Sequence, residues 1–238
     1  MLFIFKQKPI ILDCFTSNSA AHDYAEISPA INHIPKWWKQ IPSSSINLRT
    51  MKSCTGFIEL YNKGIVIPLW SDLLLSTTPD DISWKFADGT SVIQPHLKQQ
   101  AGEFFTLADR LHIKIETPWM FKCKEDIPWH FSQPVWNDLA AKNYCTPSGI
   151  IEFKYQHSTN VNMLLPSIKR ELMIPHTHPI AHIIPLSERP VKINCHLVSK
   201  EEYSRLFSIP TFVNTYYKTK KIMEEKESKS KCPFGFGK

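Results

Sequence analysis

Apolar positions along this chain fall in short runs separated by Pro, Ser, Asn and Gly, a spacing that predicts strands more often than helices. The clearest case is the stretch from Thr146 to Leu186. There Ile150 to Phe153, Val161 to Leu165 and Ile180 to Ile184 predict successive strands of a central sheet. Upstream, Leu111, Ile113 and Ile115 alternate with His112, Lys114 and Glu116, the pattern of a half-buried strand. Pro118 breaks that strand, and Trp119, Phe121 and Cys123 continue it as a second strand or after a kink. Further strands are predicted at Leu2 to Phe5, Ile10 to Leu12, Ile65 to Leu75 with Pro68 at a bulge or edge, and Val191 to Val198. Another has Ile82, Trp84 and Phe86 on one face.

Helical signals are fewer. Met51 to Gly64 places Phe57, Leu60 and Tyr61 on one face and ends in a glycine cap. Ser199 to Phe207 begins with an N-cap serine and has Glu202 at the capping-box position. Pro210 to Lys231 is a charged, solvated helix with Phe212, Val213, Tyr216 and Tyr217 as its apolar face. The segment around Trp37 and Trp38 holds Pro29, Pro35 and Pro42, which exclude a long helix and predict a stiff aromatic loop. The fold class read from these elements is mainly β. It is a single-domain sandwich or barrel of about eight to twelve strands with two or three peripheral helices, one of them C-terminal.

Composition fits one core, with 42% hydrophobic and 21% charged residues over 238 positions. The domain is read as 1–215 and a basic helix or tail as 216–238. The net charge of +6 changes little once located, because Tyr216 to Lys238 carries seven Lys against three Glu. Basicity is thus concentrated in the tail rather than on a folded face, and a nucleic-acid partner is not expected. No apolar stretch approaches the roughly 18 residues needed to span a bilayer, and the N-terminal apolar run is too short for a secretory signal. Six scattered cysteines without a CxxC pair point to reduced thiols in a cytoplasm.

Candidate chemistry is sparse. His176 and His178 would share one face of a strand, and neutral imidazoles suit zinc, iron or manganese. This HxH pair resembles the entry to a cupin-type metal site. His182 stands roughly where the following carboxylate is expected, on the order of 20 Å from His176 along a straight strand. A third ligand would come from His157, Glu152 or His196. The segment GIIEFKYQ resembles the strand motif of the dUTPase and dCTP-deaminase family, which implies Glu152 as the water-activating carboxylate, Tyr155 under a sugar, and FGFG at 234–237 as a closing arm. Lys154 stands where that family has a second acid. Tryptophan beside lysine makes a partner-binding surface, so Trp37, Trp38, Lys36 and Lys39 are interface candidates.

Taken in order, IPKWWKQIP, TMKSCTGFIELYNKGIVIPLWSDL, PSGIIEF, HPIAHIIPL and CPFGF resemble an uncharacterised protein group encoded by tailed phages, especially marine and cyanobacterial ones. The resemblance implies residence in the infected host's cytoplasm or in the virion. The reading that follows is a non-enzymatic binding or structural module that meets a protein partner or assembles with itself, with no cofactor required. A cupin-like metalloenzyme holding a divalent metal and a dUTPase-like nucleotide hydrolase stand beside it as alternatives.

Overall fold

A computed structural model describes residues 7–45, 48–89, 93–104, 109–206 and 213–230. Along the chain run β1 (Ile10–Thr16), α1 (Ser19–Tyr24), β2 (Ser28–Pro29), α2 (Lys36–Gln40), β3 (Ser44–Ser45), β4 (Leu48–Arg49) and α3 (Thr55–Asn62). Next come β5 (Ile65–Pro68), β6 (Leu73–Thr77), β7 (Ile82–Phe86), β8 (Ile93–His96), β9 (Arg110–Cys123), β10 (Trp129–Ser132) and α4 (Asp138–Asn143). The chain continues through β11 (Gly149–Ile151), β12 (Ser158–Pro166), β13 (Arg170–Ile174), β14 (Pro179–Pro185), β15 (Val191–Leu197), α5 (Lys200–Leu206) and α6 (Val213–Ser230). The mainly β class holds. Six α-helices are present among the described residues, more than the pattern predicts, because four of them are only five to seven residues long. The expected strand over Leu2 to Phe5 and the FGFG arm lie outside the described residues.

Three sheets share the core. The first runs β12-β9-β1-β15 with β8 also on β9, the second β11-β10-β14-β5-β2, and the third β13-β6-β7. Their inward rows, among them Leu12, Cys14, Ile113 and Phe121 of the first sheet, Ile67, Trp129 and Ile183 of the second, and Leu73, Leu75 and Ile174 of the third, join in one hydrophobic cluster. That is a sandwich-like arrangement in which alternate residues of each strand meet the same core.

Proline positions mark the departures from simple alternation. β9 is one strand of 14 residues and runs straight past Pro118. Its register with β12 slips there: Asn160 faces Glu116 while Ser158 faces Met120, so extra residues are accommodated on β9 where Pro118 offers no N–H. The Thr117 hydroxyl satisfies the interrupted ladder by donating to the Thr159 carbonyl at 2.7 Å. Pro68 likewise ends β5, opposite a slip between Pro179 and Ala181 on β14. Gly64 has φ +80°, and a Cβ there would collide with the Ile183 carbonyl, which explains why α3 ends on glycine. The α5 cap forms as the sequence predicts, with Ser199 Oγ accepting the Glu202 N–H at 3.2 Å. Trp84 departs from its expected burial with Ile82 and Phe86. It is half-exposed, midway along β7, the outermost strand of its sheet.

Candidate functional site

Trp37 and Trp38 do not lie on an extended loop. Pro35 is preset for a helix start and its carbonyl accepts the N–H groups of Trp38 and Lys39, so the segment closes one turn, α2, which ends before Pro42. Adjacent residues of a helix point about 100° apart, so both indoles can lean on one neighbour. That neighbour is Phe57 of α3, which is buried. Trp38 stacks on it at 5.1 Å with an interplanar angle of 9°, and Trp37 meets it edge-on at 5.7 Å. Trp136 completes the group, 5.5 Å from Phe57 and 6.2 Å from Trp37.

Two of the three indole N–H groups are spent internally. Trp37 Nε1 donates to the Trp136 carbonyl at 2.9 Å, and Trp38 Nε1 donates to the Met51 carbonyl at 3.0 Å. Tyr61 packs on Phe57 at 4.9 Å, and burial pushes its phenol up to about 12. On the outside, Val135, Trp136, Lys36 and Lys39 are exposed, and Lys52 Nζ sits 4.1 Å over the Trp38 ring. The result is a rigid aromatic platform with a basic rim. Sequence reasoning made Trp37, Trp38, Lys36 and Lys39 interface candidates, but read Phe57 only as part of a helix face and Trp136 as core, and did not single out Lys52. The available signal was that Trp136 stands between Pro134 and the α4 cap Asn137, in a short turn rather than in a strand.

The segment carrying Trp136 is pinned at its far end as well. The hydroxyl of Tyr144, just after α4, hydrogen-bonds His178 Nε2 at 2.9 Å. Both groups are buried; burial raises the phenol strongly and pulls His178 down to about 4. His178 is therefore neutral at pH 7. The expected metal pair does not form, because His176 and His178 sit in a turn, with Thr177 at φ 64°, bracketed by Pro175 and Pro179. His176 instead receives Asp72, whose Oδ1 accepts its backbone N–H at 2.7 Å and lies 3.3 Å from Nδ1. His182 is buried on β14 and donates Nε2–H to the Lys63 carbonyl at 2.9 Å. The proposed third ligands are dispersed too: His157 bonds the Phe121 carbonyl, His196 lies beside Asp13, and Glu152 is held elsewhere. No three His, Cys, Asp or Glu side chains converge among the described residues in a way that would hold a metal.

Glu152 and Tyr155 lie in a turn after β11, closed by Tyr155 N–H and Gln156 N–H donating to the Glu152 carbonyl. The turn sends Phe153 and Tyr155 inward and leaves Glu152 and Lys154 facing α6. Tyr155 donates its hydroxyl to Asp126 Oδ2 at 3.0 Å. Glu152 accepts from the Tyr216 hydroxyl and holds Lys220 Nζ at 3.1 and 2.9 Å. Lys154 reciprocates by holding Glu227 at 2.9 Å. Burial first and then the Glu152 carboxylate keep the Tyr216 phenol far above its ordinary value, and the hydrogen bond to Glu152 raises Lys220. A water-activating base needs a free oxygen facing its water. Both oxygens of Glu152 are engaged by the chain's own α6, so the dUTPase-like role for Glu152 and Tyr155 is not supported by this arrangement.

No helix among the described residues is long and apolar enough to cross a membrane. No family model matches the chain, and no curated protein is similar to it.

Proposed function

We propose that the protein is a non-enzymatic binding module that holds a protein partner on the platform of Trp37, Trp38 and Trp136. The observation that carries the reading is that the indole N–H groups of Trp37 and Trp38 are already satisfied and their rings locked on Phe57. A partner meets rigid aromatic faces that lose little further freedom on binding, which is the property of interface anchors. The rim of Lys36, Lys39 and Lys52 favours an acidic flank on that partner. The phage resemblance gives the setting: a virion component or a factor acting on the host, in the infected cytoplasm or the particle. The role requires no cofactor.

The test is site-specific photo-crosslinking from position 39 in infected cells, with and without Trp136→Ala. A discrete adduct that Trp136→Ala weakens by about thirtyfold or more, as loss of a hot-spot side chain of ~2 kcal/mol implies, is the expected result. An adduct indifferent to Trp136→Ala would assign the contact to another face and overturn the proposal.

A further inference from the structure

The second engaged surface asks for a different explanation. In α6, the half-buried described side chains are Tyr216, Thr219, Lys220, Met223 and Glu227, a single stripe at helical spacing in which Tyr216 and Met223 are the apolar members. Nothing described on α6 is fully buried, and its described side-chain contacts to the body are mainly polar. Those charges are unequally placed. On the body side, Lys154 and Glu152 keep 10% and 19% of their side-chain surface, whereas their helix partners Glu227 and Lys220 keep 44% and 27%. With α6 seated, the body half of each pair is the more covered, a recess that the helix itself helps to form.

The recess has the composition that recognises a primary ammonium. Glu152 supplies a carboxylate chelating the cation with two oxygens, and the Tyr155 ring face lies 5.2 Å from Lys220 Nζ. Asp126 fixes Tyr155 through its hydroxyl and adds a second negative charge nearby. Seven residues further along the helix, about 10 Å at 1.5 Å per residue, Lys154 takes a carboxylate. When α6 lifts, Glu152 and Lys154 lose these partners, and another segment with the same pattern would restore them.

We infer that Glu152, Tyr155, Asp126 and Lys154 form a binding site for a helical segment presenting a lysine and, seven residues later, an acid, and that α6 occupies it in the resting chain through Lys220 and Glu227. An external segment of that chemistry binds by displacing α6. The inference is independent of the tryptophan platform, which lies on different residues and holds through apolar contact.

The probe is a fluorescein-labelled synthetic peptide of residues 213–230, titrated by anisotropy against the full chain at low salt. The full chain carrying Lys220→Glu, whose own helix no longer fits, should bind the peptide at least tenfold more tightly than the native chain. Adding Glu152→Gln should remove that gain, and a peptide with the charges at positions 220 and 227 exchanged should bind at least tenfold more weakly. Equal binding to the native and Lys220→Glu chains, or equal binding of the two peptides, overturns the proposal. Lys220→Met keeps the aliphatic stem and guards against misfolding of the first variant. It should also free the site, and no gain in affinity there, with the fold intact by circular dichroism, overturns the proposal by itself.

Discussion

The tryptophan platform and the α6 recess are both surfaces where a helix lies on the sandwich, yet they are held by opposite physics. In the platform, Phe57, Tyr61 and Val66 are buried with Trp37, Trp38, Ile34 and Leu60 packed around them, and the polar atoms serve only to orient rings. In the recess, the contacts are two reciprocal ion pairs, a phenol and an edge-on tyrosine pair at 6.3 Å. Apolar area removed from water is indifferent to salt, while partly exposed ion pairs contribute little and are screened. A protein with both has one face that keeps its shape and one that can be exchanged.

The sharpest way to break the comparison is Phe57→Ala. It leaves a cavity under three indoles, and a loss of roughly 3–5 kcal/mol in urea unfolding is expected, with α6 still seated in the fraction that remains folded. A loss under about 1 kcal/mol would mean that the aromatic group is a surface ornament and not a satellite core. The second effect is acid. His178 is held at about 4 against an ordinary 6.5, so its folded value is depressed. Stability is then full above pH 6.5 and falls as pH drops toward 4, at ~1.4 kcal/mol per pH unit. His33, His112, His157 and His182 are also lowered, by burial first, and have the same sign. Comparing urea midpoints at pH 7 and 4.5 should show a loss of roughly 2–3 kcal/mol from His178 alone, relieved in His178→Gln. An unchanged acid slope in that variant would place His178 in water. The smallest effect is salt. Raising ionic strength should speed amide exchange in α6 by about fivefold, the equivalent of ~1 kcal/mol for exposed pairs, and leave α3 unchanged. Equal responses of the two helices would erase the distinction.

How much of this was legible varies with distance along the chain. Local signals served well: the alternation of Leu111, Ile113 and Ile115, the glycine after α3 and the Ser199 cap each describe an interaction within a few residues. They failed where proline has two readings. Pro118 was read as a break, but a slipped register absorbs it, and Pro175 and Pro179 make a turn of what spacing presented as a strand bearing two histidines. Long-range contacts left no trace. Trp37 reaches Trp136 across 99 positions and Lys220 reaches Glu152 across 68, and neither residue carries any mark of its partner. The platform residues were therefore half legible, as aromatic and basic types in a stiff segment. Glu152 and Tyr155 were singled out on a motif whose surroundings give them other work.

β1 lies between β9 and β15, and its parallel neighbour begins at Val191, paired with Ile10. Ribosomes add about 5–20 residues per second, so β1 waits roughly 10 to 40 s for the strand that completes its sheet. Through that interval one edge of a core strand stands open to any passing chain. Biogenesis of this protein thus carries a window of exposure set by topology, and a nascent chain stalled before Leu197 is the form in which it will aggregate or recruit a chaperone.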